Sequence, residues 1–110
     1  MDETRRQKRA SSYARVYLTA GQKYGYLRDL SEDGCGMSFL EPPSLRLGDE
    51  VDVVIVPNHD LDLPRVPAVL LVRWLHAEGP SYFVGGALFS IPEEHTEAWR
   101  RLVSYFKERP

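Results

Sequence analysis

From Tyr13 to Phe89 the apolar residues of this chain recur at every second position, in short runs each closed by glycine or proline; only beyond Ile91-Pro92 does the spacing become helical. Period two sends alternate side chains to opposite faces of a strand, so most of the chain must fold as short strands with one apolar face each. Tyr13, Arg15, Tyr17 and Thr19 alternate with Ala14, Val16, Leu18 and Ala20 before a turn at Gly21-Gln22. Further strands are expected over 23–30, over 35–40 up to Pro42-Pro43, and over the β-branched run 51–56 that stops at Pro57-Asn58. Two longer ones, 67–77 and 82–89, flank the hairpin loop Glu78-Gly79-Pro80-Ser81.

After them Ala98, Trp99, Leu102, Val103 and Phe106 fall on one helical face, with Glu93, Glu94 and Glu97 loading its N-terminal turn in the sense the helix dipole favours. The expectation is an all-β fold, a six-stranded antiparallel β-barrel with a C-terminal α-helix, because closing the sheet removes its exposed edges. A two-layer sheet with the helix on one face is the alternative. Residues 1–11, polar apart from Met1 and Ala10, read as a flexible basic arm, and residues 12–110 as the barrel with its helix. At 110 residues there is room for one core. The longest unbroken apolar run, 66–72, is seven residues and contains Pro67, too short to cross a bilayer. A charged N-terminus and a single cysteine point to the cytoplasm.

Charge is unevenly distributed. Residues 1–15 carry five cations against Asp2 and Glu3, a balance of +3, whereas residues 29–62 carry nine acids against Arg46, a balance of -8. A protein that grips long nucleic acid spreads positive charge along a face to collect phosphate contacts. A basic tip on an acidic body suits a small anion instead, and argues against long nucleic acid as a partner.

No enzyme constellation assembles. His59, His76 and His95 are not spaced as paired metal ligands, Cys35 in Gly34-Cys35-Gly36 has no neighbouring histidine to activate it, and no phosphate loop or nucleophile elbow occurs. Two patterns remain. Arg5-x-x-x-Arg9, with Arg6 and Lys8 inside it, arises about once by chance in a chain this rich in arginine, so alone it discriminates nothing. Asp29-x-Ser31-x-x-Gly34 is expected by chance only about 0.04 times, although a plain turn would use the same residues, with Asp and Ser bonding nearby amides and Gly at positive φ.

The order of these parts resembles the PilZ domain, a bacterial receptor module for cyclic di-GMP. The resemblance spans essentially the whole chain and rests on Arg5-Arg6-x-x-Arg9, Asp29-Leu30-Ser31-x-x-Gly34-x-Gly36, Gly48 before a β-branched strand, Val72-Arg73-Trp74 and Val84-Gly85-Gly86-x-x-Phe89. It implies a six-stranded barrel with a C-terminal helix, an arginine arm that folds over the ligand, no catalysis, no cofactor beyond the ligand itself, and a downstream protein partner. The residue types suit that ligand. Guanidinium groups at Arg5, Arg6 and Arg9 match phosphate and guanine O6/N7 bidentately and stack on purines. Asp29 accepts from guanine N1 and N2, the Ser31 hydroxyl donates or accepts, and Gly34 lets the backbone approach a base. Trp74 fits two roles equally, a stacking surface for ligand and a core residue, whereas Trp99 on the apolar helix face reads as core. Two rivals stand beside this reading: a PilZ-like interaction module without ligand, as in pilus or motility machinery, and a small barrel that stacks single-stranded nucleic acid on aromatics.

Overall fold

A computed structural model describes residues 14–58 and 62–107. Six strands among them, β1 (Arg15–Leu18), β2 (Lys23–Ser31), β3 (Gly34–Phe39), β4 (Glu50–Val56), β5 (Val66–Glu78) and β6 (Ser81–Ser90), are followed by a 3-10 turn (Glu93–His95) and one helix, α1 (Thr96–Lys107). All pairings are antiparallel and run β1-β2-β3-β6-β5-β4, with β4 returning to β1, so the sheet closes into a barrel and the two-layer alternative is excluded.

Alternation produces the interior as the sequence pattern requires. Val16 and Leu18 from β1, Leu27 from β2, Met37 and Phe39 from β3, Val53 and Ile55 from β4, Leu70 from β5 and Val84 from β6 are almost wholly buried. At roughly 1.5–3 kcal/mol per large apolar side chain, this shared core is the main source of stability. The helix contributes Trp99, Leu102 and Val103 to the same cluster and packs chiefly against β2. Glu93 and Glu94 lie in the 3-10 turn, leaving Glu97 as the acidic residue of α1's own first turn.

The turns are tighter than the sequence reading put them. Ser31 ends β2 and Gly34 opens β3, so the expected four-residue loop is a two-residue turn at Glu32-Asp33; Gly79-Pro80 likewise joins β5 to β6. Both longer loops shrink because their outer members pair across the hairpin, Ser31 with Gly34 and Glu78 with Ser81.

Three bulges interrupt the ladders, each inserting one extra residue between successive register pairs: Arg28 in β2, Arg73 in β5 and Phe89 in β6. A bulge resets which way the following side chains point. Those at Arg28 and Arg73 create the surface described next.

One polar contact ties the helix to that surface. The buried Trp99 indole donates through Nε1 to the Ser31 carbonyl oxygen at 3.2 Å. Trp99→Phe keeps an aromatic ring but strands that carbonyl, and is expected to cost about 1 kcal/mol in a urea melt. An unchanged midpoint would mean that water takes over the bond.

Candidate functional site

The two bulges align four residues in one row across four strands. Asp29 on β2 pairs with Gly36 on β3, Gly36 with Gly85 on β6, and Gly85 with Trp74 on β5. Three interstrand steps separate the ends, roughly 14 Å between α-carbons. The two central positions lack side chains, and the end residues lean over them. A Cβ on Gly36 would lie 2.8 Å from Asp29 Oδ2, and one on Gly85 would overlap the Trp74 indole at Cε2 and Nε1. The indole therefore lies flat on Gly85 and keeps its other face open, being 47% exposed. Of the two roles the sequence left open for Trp74, the interior one is excluded.

The next row on the same face is Ser31, Gly34 and Ala87, and together the rows form a shallow cleft of about 370 Å³ that Arg73 also lines. Leu30, between Asp29 and Ser31, points inward and is buried, so both polar side chains share the outer face. The Ser31 hydroxyl accepts from the Asp33 amide and donates to the Gly34 carbonyl, each at 3.3 Å. The Asp33 carbonyl accepts from the Leu88 amide at 2.6 Å. Serine thus holds the turn, and the turn is pinned to β6.

Gly34 is required for a reason the sequence reading did not give. It does not adopt positive φ. A Cβ there would overlap the Gly86 carbonyl oxygen on the neighbouring strand, so its bare α-carbon is demanded by the sheet itself, whatever binds in the cleft.

Cys35 lies under this floor, paired with Leu30 on one side and Gly86 on the other. Burial, with the Asp29 carboxylate as the second cause, pushes its thiol up from 9.0 to about 12. A thiol held neutral is a packing group and a poor nucleophile. Because the folded value lies above the unfolded one, the folded state retains the proton longer. Stability from this group is constant below about pH 9 and falls as pH rises toward 12. Cys35→Ala should remove up to about 1 kcal/mol per pH unit of that decline, measured by urea melts of both proteins across the window. Equal slopes would count against a buried neutral thiol.

The remaining site residues are placed as follows. Arg5, Arg6 and Arg9 lie outside the described residues. The chain enters the barrel at Ala14, whose carbonyl accepts from the Leu27 amide at 2.9 Å, two positions before Asp29. His76 stacks near Phe83, with ring centroids 6.2 Å apart, and reaches Glu78 at 3.3 Å. Among the described residues no three His, Cys, Asp or Glu side chains are grouped to hold a metal ion, and no helix is long and apolar enough to cross a membrane. The residue that the motif reading missed is Arg73. Its signal is the Val72-Arg73-Trp74 run, where alternation from inward Val72 already turns Arg73 outward.

Comparison with known proteins agrees with this architecture. The Bacillus subtilis inhibitor of motility MotI/DgrA has a similar structure, with a TM-score of 0.71 at 14% sequence identity, over 90% of this chain and 47% of that one. This chain spans about half the length of that protein, and at this identity the likeness establishes the fold. No curated protein matches the sequence. The PilZ domain family model matches residues 3–105, which takes in both arginine and Asp-x-Ser-x-x-Gly patterns as well as the barrel and nearly all of the helix, and the chain accordingly belongs to the PilZ domain family.

Proposed function

We propose that this protein is a non-enzymatic cytoplasmic receptor for cyclic di-GMP that signals to a downstream protein partner. The observation that carries the reading is the Asp29–Gly36–Gly85–Trp74 row, a floor without side chains bounded by a hydrogen-bond acceptor at one end and an open indole face at the other. A guanine needs both features, an acceptor for its N1 and N2 donors and a flat apolar surface to stack on. Arg73 adds a cation beside the indole, and Ser31 offers its hydroxyl at the neighbouring row.

The phosphates and the second guanine fall to Arg5, Arg6 and Arg9. Five residues link Arg9 to Ala14, a reach of at most roughly 18 Å, enough for the arm to cover a cleft whose near wall begins beside Leu27. Charge supports this division, since the acidic segment 29–62 would repel an anion that the basic arm has not neutralised.

Calorimetric titration tests the proposal against both rivals. Saturable cyclic di-GMP binding with weak oligonucleotide binding supports it; no binding of either supports an interaction module, and the reverse supports a single-strand binder. Arg5→Lys and Arg9→Lys separate chemistry from charge. Lysine keeps the charge but lacks the planar fork and stacking face, so each should lose about tenfold in affinity at fixed salt. Parent-like binding by both would leave only a nonspecific basic arm.

A further inference from the structure

Across the barrel from the cleft floor, the outer face of β1, β4 and β5 carries a pattern that ligand binding does not explain. The second half of β4 is apolar on both sides: Val53 and Ile55 point inward and are buried, while Val54 and Val56 point outward and stay partly exposed, outside the core cluster. An antiparallel strand with one face in water alternates apolar and polar residues; one that is β-branched on both faces has the pattern of a strand covered on both sides. The helix packs chiefly on β2 and does not supply that cover.

Register orders this face from end to end. At one edge Arg15 pairs with Val56, and Arg65 immediately precedes Val66, the β5 partner of Ile55. The central row is Tyr17–Val54–Pro67. At the opposite edge Asp52 pairs with Val69, and Glu50 follows beside Leu71. The face is therefore basic at one edge, apolar in the middle and acidic at the other. Arg15 is held at its edge by stacking over the Tyr24 ring, 5.4 Å from the centroid.

We propose that a second copy of this chain packs on this face, forming a two-fold dimer whose axis runs along the Tyr17–Val54–Pro67 row. A rotation about an axis in the plane of contact reverses strand direction and leaves each strand over its counterpart. The basic edge of each copy then meets the acidic edge of the other, twice by symmetry. The Val56 and Asp52 rows lie symmetrically about Val54, separated by roughly 13 Å. Two sheets packed roughly 10 Å apart bring the outward valines and Tyr17 into contact. Asp52 of one copy falls between Arg15 and Arg65 of its mate, whereas an unreversed stacking would set like charges together. The β3–β6 floor is on the far side of the barrel, so the dimer is independent of what the cleft binds.

Sedimentation velocity over a wide concentration range is the test. The parent is expected to be a dimer that dissociates on dilution, and Val54→Asp to be a monomer with an unchanged circular dichroism spectrum. Charge exchange keeps the proposal testable if Val54→Asp does not fold, because Asp52, Arg15 and Arg65 are all exposed. Asp52→Arg alone, and Arg15→Asp with Arg65→Asp, should each dissociate more readily than the parent, since each sets like charges together. Mixed, the two variants should re-form a dimer, because both edges are then complementary. A parent monomeric at every concentration, a dimer unaffected by Val54→Asp, or a mixture that associates no better than its components would overturn the assignment.

Discussion

Asp29→Ala is expected to weaken cyclic di-GMP binding by about 30- to 150-fold, which is about 2–3 kcal/mol, while leaving thermal unfolding unchanged. The binding loss follows from asymmetry in hydrogen-bond energetics. In the proposed complex guanine N1 and N2 donors, stripped of water against the cleft floor, would have the Asp29 carboxylate as their acceptor, and alanine would leave them unpaired. The fold is expected to survive because the side chain is exposed and leans over Gly36 without entering the core. Asp29→Asn, which keeps one acceptor oxygen, should recover part of the affinity. Calorimetry gives the first quantity and a melt the second. Parent-like affinity in the alanine variant would remove the cleft from consideration as the guanine site, and a collapsed melt would show that Asp29 serves the turn first.

Gly34→Ala is expected to act on the other quantity. An added methyl meets the Gly86 carbonyl oxygen, a backbone atom that cannot swing aside as a flexible side chain would. Relief requires β3 and β6 to separate, and the Leu88–Asp33 backbone bond that pins the turn to β6 opposes this. The cost should be about 3 kcal/mol, at the upper end for overpacking, or a fall of roughly 12–24 °C in melting temperature. Ligand affinity per folded molecule should change less than in Asp29→Ala. A fall of only a degree or two would show that the strands part easily, and Gly34 would then owe its place to the ligand.

The two variants together explain why one short motif was readable in part. That Asp29 and Ser31 share a face follows from local alternation and was visible in the sequence. The steric need for Gly34 was not, because its constraint comes from Gly86, far along the chain, and only the closed β3–β6 pairing brings them together. The six strands and the helix were legible for the same local reason, since period-two runs and their punctuation determine which faces are apolar. Bulges escape that logic. Counting alternately from buried Val72 sends Arg73 out and Trp74 in; the extra residue at Arg73 reverses the parity and lays Trp74 on the outer surface. A bulge changes neither composition nor overall period, so the Trp74 ambiguity needed the register to resolve it.

The fold also sorts the chain's two tryptophans into unlike optical environments. Trp74 lies half in water on the cleft floor, while Trp99 is enclosed beneath the helix with its indole nitrogen committed to the Ser31 carbonyl. A dissolved quencher such as iodide reaches the first ring and not the second, and a purine laid over Trp74 would dim the red-shifted emission alone. Bluer light from Trp99 reports whether the helix stays seated. Without any label, the protein's own fluorescence therefore distinguishes occupancy of its surface from integrity of its core.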